Sequence, residues 1–135
     1  EIKNGIFLLG RLSPVEMATQ LAESKITVIP SIIEPYGIIV AEAICCGSPV
    51  VATNVGGIPE VIALAKKNLN SIEQGVFDDW VKLVDPEVAA IRAGIDILLK
   101  NYNGLEEYIK LVPKVRKEFF WSKRLDQYHN LLAES

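Results

Sequence analysis

Two carboxylates and a short glycine-led apolar segment carry the chemistry this sequence offers. Glu34 and Glu42 have seven residues between them, among them Pro35-Tyr36-Gly37 and the apolar run Ile38–Ala41. If 37–46 is a helix, the backbone N–H groups of Tyr36, Gly37 and Ile38 stand at its start, where they and the helix dipole suit a phosphate. Glu42 then lies roughly 6–8 Å along the axis from that start, at about 1.5 Å per residue. It is the one charge among apolar neighbours in the segment, a setting that is costly for a carboxylate unless it is paired or hydrogen-bonded. Glu34 sits in the loop just ahead of the same helix end. Carboxylates bind sugar and ribose hydroxyls while the helix end binds the phosphate between them. The set outlines a nucleotide-sugar site.

The elements that must position these groups follow from the flanking sequence. Ile26–Ile29 is a strand-like apolar run that stops at Pro30-Ser31. The segment 37–46 would suit a buried strand as well as a helix. Ala41 and Ala43 favour helix, Gly47 stands where a left-handed residue ends one, and an extended segment would leave no crossover before the next apolar run, Pro49–Ala52. Gly56-Gly57 and a helix beginning near Pro59 follow. Strand, loop, helix, strand, loop, helix is a right-handed βαβ arrangement, and open parallel sheets bind ligands at the carboxyl ends of their strands.

These residues resemble the donor-binding half of GT-B glycosyltransferases. The similarity lies in Glu34-Pro35-x-Gly37-x-x-x-x-Glu42-Ala43, then Gly47-x-Pro49-Val50-Val51-Ala52, then Gly56-Gly57-Ile58-Pro59-Glu60-Val61. Within that class the chain is most similar to the retaining group that includes glycogen and sucrose synthases, glycosyltransferase family 4, whose signature is two glutamates with seven residues between them. The resemblance implies an α/β fold, a Rossmann-like parallel sheet with flanking helices, forming the C-terminal half-domain. It implies transfer of a hexose from a nucleoside-diphosphate sugar such as UDP-, ADP- or GDP-hexose, with retention. In that scheme Glu34 holds the hydroxyls of the donor sugar at the catalytic centre and Glu42 holds the ribose. The amides of Tyr36, Gly37 and Ile38 stabilise the departing diphosphate. No cofactor and no metal are expected.

The remaining chain bounds the answer. With 135 residues there is room for one domain and a sizeable core. Half the residues are apolar and 23% charged, the net charge is −3, and no apolar run reaches the ~20 residues that span a bilayer. That charge gives no bulk attraction to nucleic acid or anionic membrane. Cys45 and Cys46 are adjacent, with one His in the chain, so they read as small hydrophobes in a reducing cytoplasm rather than as a disulfide or metal pair.

Ile6–Leu9 reads as a buried strand ended by Gly10. Ser13-Pro14-Val15-Glu16 is a capping box for a helix reaching about Lys25. Arg11 reads as a solvated loop residue. In 63–79 the breakers Asn68, Asn70 and Gly75 replace the family's short turn. Val81–Val84 is preferred over Val76-Phe77 as the next strand, because Asp85-Pro86-Glu87 then starts a helix over 86–100. A helix over 105–120 should break or kink at Pro113. The basic and aromatic tail around Phe119-Phe120-Trp121 reads as a solvated face, with membrane contact the lesser alternative and nucleic acid disfavoured by Glu106, Glu107, Glu118 and Asp126. A last helix, 122–133, carries His129, read as a surface or satisfied histidine.

The family's acceptor domain, the Arg/Lys pair of its donor loop and two strands preceding Ile6 are not in this sequence. Residues 1–135 are therefore expected to be a partial domain: a fragment, a truncated product or one part of a split enzyme. Two alternatives stay open, a non-catalytic nucleotide-binding or interaction module and a related sugar-nucleotide epimerase, the latter disfavoured by the two-glutamate spacing. Without the preceding strands Ile26–Ile29 would be an open apolar edge. Either Ile6–Leu9 moves in beside it, or a second copy of the chain supplies a strand and makes a homodimer.

Overall fold

The computed structural model of the chain describes residues 5–120. Helix α1 (Pro14–Glu23) precedes strand β1 (Thr27–Ile29), helix α2 (Ile38–Cys45), strand β2 (Val50–Thr53) and helix α3 (Ile58–Lys66). Helix α4 (Ser71–Trp80), strand β3 (Val81–Val84), helix α5 (Val88–Lys100), a 3-10 turn (Tyr102–Gly104) and helix α6 (Leu105–Phe119) follow. The three strands pair in parallel in the order β1-β2-β3, with Thr27, Val50 and Val81 in register. The fold is α/β, a parallel sheet flanked by helices, as the Rossmann-like half-domain of the sequence reading requires.

Strand β2 is central, which is why all four of its residues are buried. Its side chains alternate between faces. Val51 faces α5, where Gly94 permits close approach: a Cβ there would sit 3.0 Å from Val51 Cγ1 and 3.4 Å from Val84 Cγ1. The main core joins Val50, Ala52 and Val81 to Val40, Ala43 and Ile44 of α2, Ile58 and Ile62 of α3, and Tyr108 and Val115 of α6. Helix α2 is short and almost wholly apolar because it is held from both sides. Arg116 Nε of α6 donates to the Cys45 carbonyl at 2.6 Å, satisfying a group at its C-terminal end. Gly47 follows with φ of 79°, the left-handed residue anticipated from the sequence.

The Ser13–Glu16 capping box forms in both directions, the Ser13 N–H donating to Glu16 Oε2 at 2.8 Å and the Glu16 N–H to Ser13 Oγ at 3.3 Å. Cys45 and Cys46 are free and half-buried, and desolvation pushes both thiols above their ordinary pKa. Four expectations need correction. Ile6–Leu9 is not a strand of this sheet; all four side chains are exposed, Leu8 by 81%. It therefore does not move in beside β1, whose paired neighbour among the described residues is β2 alone. Residues 63–79 are not broken up by Asn68, Asn70 and Gly75 but hold the end of α3 and all of α4 except Trp80, and α4 opens on a second capping box of Asn70 and Glu73. Helix α5 starts at Val88, with Glu87 rather than Asp85 at its N-cap. Helix α6 does not break at Pro113 but runs on as a single element. The expected helix 122–133, with Trp121 and His129, lies outside the described residues.

Candidate functional site

The carboxyl ends of β1 and β2 lead into two loops that lie against each other. After β1, residues 30–36 run to Gly37, the N-cap of α2, which adopts φ of 67°. That left-handed turn suits glycine, and the space leaves no alternative, because a Cβ would lie 3.2 Å from Val61 Cγ2 and 3.3 Å from the Ile58 Cα. After β2, Gly56 and Gly57 pass over the first loop, and the Gly57 N–H donates to the Glu34 carbonyl at 2.9 Å.

Glu34 is half-buried, and its carboxylate turns onto the helix it precedes. Oε1 accepts from the Gly37 N–H at 3.1 Å and from the Tyr36 N–H at 3.4 Å. Two of the three amides picked out from the sequence thus already hold an anion, the protein's own. A helix start with unsatisfied donors and a positive dipole end favours such an acceptor. Glu42 is exposed on α2, so water solvates it and the burial cost anticipated from its apolar neighbours does not arise. It lies close enough to Cys45 and Cys46 to disfavour their thiolates.

Tyr36 and Ile38, both exposed, line a groove of about 680 Å³ between α2 and α3, with Gly57, Glu60 and Val61 across from them and Phe119 of α6 at its edge. Glu34 and Glu42 are not among its lining residues. Four of the five residues chosen from the sequence lie at the start of α2, Glu42 lies further along in its second half, and the five do not all face one cavity. Thr53 and the backbone of Gly56 and Gly57, which hold the Glu34 loop in place, were not among them. The signal for the glycines was present, a Gly-Gly pair directly after a buried strand, which marks close backbone approach. Among the described residues no group of three or more His, Cys, Asp or Glu side chains is arranged to hold a metal ion, and no helix is long and apolar enough to cross a membrane.

The family model for glycosyl transferases group 1 matches residues 1–118. The chain belongs to that glycosyltransferase family. Among similar proteins is an uncharacterised glycosyltransferase of Methanocaldococcus jannaschii, 32% identical over 88% of this chain and 27% of its own length. The alpha-maltose-1-phosphate synthase of Mycolicibacterium smegmatis is 37% identical over 51% of this chain and 18% of its own length. The D-inositol 3-phosphate glycosyltransferase of Paenarthrobacter aurescens is 44% identical over 36% of this chain and 12% of its own length. The chain thus spans about a quarter or less of the length of these relatives. Its three-stranded parallel sheet agrees with the C-terminal half-domain of a GT-B fold.

Proposed function

We propose that the chain is the donor-binding part of a retaining glycosyltransferase that moves a hexose from a nucleoside-diphosphate sugar to an acceptor. The observation that carries this reading is the anion-holding start of α2, where a carboxylate already occupies the Tyr36 and Gly37 amides. A diphosphate presents the same kind of acceptor with more charge, and it takes over those two amides together with that of Ile38. Glu34, displaced, turns to the hydroxyls of the donor sugar, where it is the catalytic-centre residue of this half-site. Glu42, exposed and free to accept, takes the ribose hydroxyls. As the bond to the sugar breaks, charge grows on the leaving diphosphate, and the fixed amides and helix dipole stabilise it without rearrangement. The acceptor is held by a further domain of the whole protein. Two relatives are named for phosphorylated small molecules, and acceptors of that class are the first to try.

Isothermal titration of UDP, GDP and ADP into the wild-type chain and Glu42→Gln tests the assignment. Loss of a charge-assisted hydrogen bond is expected to weaken binding roughly ten- to a hundredfold. Equal affinity in the two proteins would remove Glu42 from the site.

A further inference from the structure

Strand β2 reads Val50-Val51-Ala52-Thr53, and its one polar side chain is fully buried at the end nearest the site. Thr53 Oγ1 donates to the Ser31 carbonyl at 2.6 Å, and the Ile29 carbonyl lies 3.4 Å away. Both carbonyls belong to the end of β1 and the loop that carries Glu34. Three to four residues further on, the second loop touches the first again. The Gly57 N–H holds the Glu34 carbonyl at 2.9 Å. A Cβ on Gly56 would fall 1.9 Å from that same carbonyl oxygen, and one on Gly57 would fall 2.6 Å from the Pro35 carbonyl oxygen. Gly56 also has φ of 52°, which disfavours any other residue. The loop after β1 is therefore fastened at its beginning by the last residue of β2 and at Glu34 itself by the segment that follows β2. A buried hydroxyl that only filled space would be replaced at no loss by a methyl group; this one satisfies a loop carbonyl that has no sheet partner at that point.

We propose that Thr53 and the Gly56-Gly57 step are positioning residues that fix Glu34 and the Tyr36 and Gly37 amides from the neighbouring strand. Thr53 touches no ligand; it acts by holding the loop whose groups do. The consequence for donor binding rests on the function proposed above, whereas the consequence for the loop does not.

The two are separated by Thr53→Val, which removes the hydroxyl while nearly keeping the shape, and Thr53→Ser, which retains the hydroxyl. Amide hydrogen exchange on the 135-residue chain is read at Gly37 and Gly57, each relative to the amides of β3. In Thr53→Val both should exchange about tenfold faster or more relative to β3, and in Thr53→Ser both should stay near wild type. A merely structural role would speed β3 and the loop together, so exchange of Gly37 and Gly57 in step with β3 overturns the proposal. Titration with UDP, GDP and ADP is the second arm. Affinity should fall about tenfold in Thr53→Val and return in Thr53→Ser. Equal affinity in wild type and Thr53→Val also overturns it. If wild type binds none of the three nucleotides while the exchange pattern holds, the positioning stands and the donor reading falls. Gly56→Ala should reproduce the loss, and if it does not fold, the threonine pair still decides.

Discussion

Glu34 and Glu42 come from one sequence pattern but meet different physical conditions. Glu34 is tied down because it lies one turn ahead of a helix start whose donors need an acceptor. Glu42 is free because its position on α2 points to water. The residue between them that the geometry constrains most is Gly37. Gly37→Ala would place a side chain at φ of 67° and push against Val61 and Ile58. The backbone conformation alone costs about 1–2 kcal/mol for an L-residue, so urea unfolding should show at least that loss. Gly75 supplies the contrast, since it lies within α4 with open space where a Cβ would go. Gly75→Ala should raise stability by about 0.5–1 kcal/mol in the same measurement. If both substitutions move stability the same way, the conformational assignments at these positions are wrong.

Helix α4 is the element the sequence concealed most effectively. Asn68, Asn70 and Gly75 read as breakers, yet Asn70 with Glu73 three residues on is a capping box, and that signal was legible. What lay beyond the sequence was the partner surface. Phe77 and Trp80 are buried against Tyr108 and Tyr102, with the Trp80–Tyr102 rings edge-on at 5.7 Å. Lys66–Asp78 and Lys114–Glu73 ion pairs, each 2.6 Å, tie α4 to α3 and α6. The hydrogen bond from Lys114, followed by that from the Asn70 backbone, holds the Glu73 carboxyl below its usual pKa. A carboxyl with a depressed folded-state pKa adds stability above its unfolded value, and that stability is lost as pH falls through the folded value. The melting temperature of wild type should therefore fall more steeply between roughly pH 5 and pH 3 than that of Glu73→Gln. Parallel slopes would mean that Glu73 gains nothing from Lys114 on folding. Glu16, lowered by Ser13 in the first capping box, adds a drop of the same sign that the substitution leaves in place.

At the scale of the whole molecule helices flank the sheet, and among the described residues β1 is an outer strand that pairs with β2 alone. Val28 is 37% exposed on that strand, and Ile6–Leu9 stand in solvent beside the start of the fold. Unpaired N–H and C=O groups along an apolar edge strand are a template for pairing. The isolated chain is expected to self-associate with rising concentration in light scattering, and Val28→Lys should shift it toward monomer. A wild-type chain that stays monomeric at all concentrations would show that the edge is protected in some other way.

The sequence by itself determined the local and the periodic: the capped start of α1, strands at β1, β2 and β3, a helix between 37 and 46 ended by Gly47, and two carboxylates, one just ahead of that helix and one on it. Each rests on residues near in the chain, where the chemistry of a cap, a turn or an apolar run acts without help from afar. Tertiary structure decided the rest. Ile6–Leu9 is apolar enough for a strand but has no partner among the three, and a strand exists only by pairing. Pro113 passes within α6 because that helix is held by packing along its length, through Tyr108, Val112 and Val115. Thr53, unremarkable in a run of valines, becomes the tether of the Glu34 loop only because β1 lies beside β2. No spacing in the chain encodes that contact, since Thr53 and Ser31 are brought together by the parallel register alone.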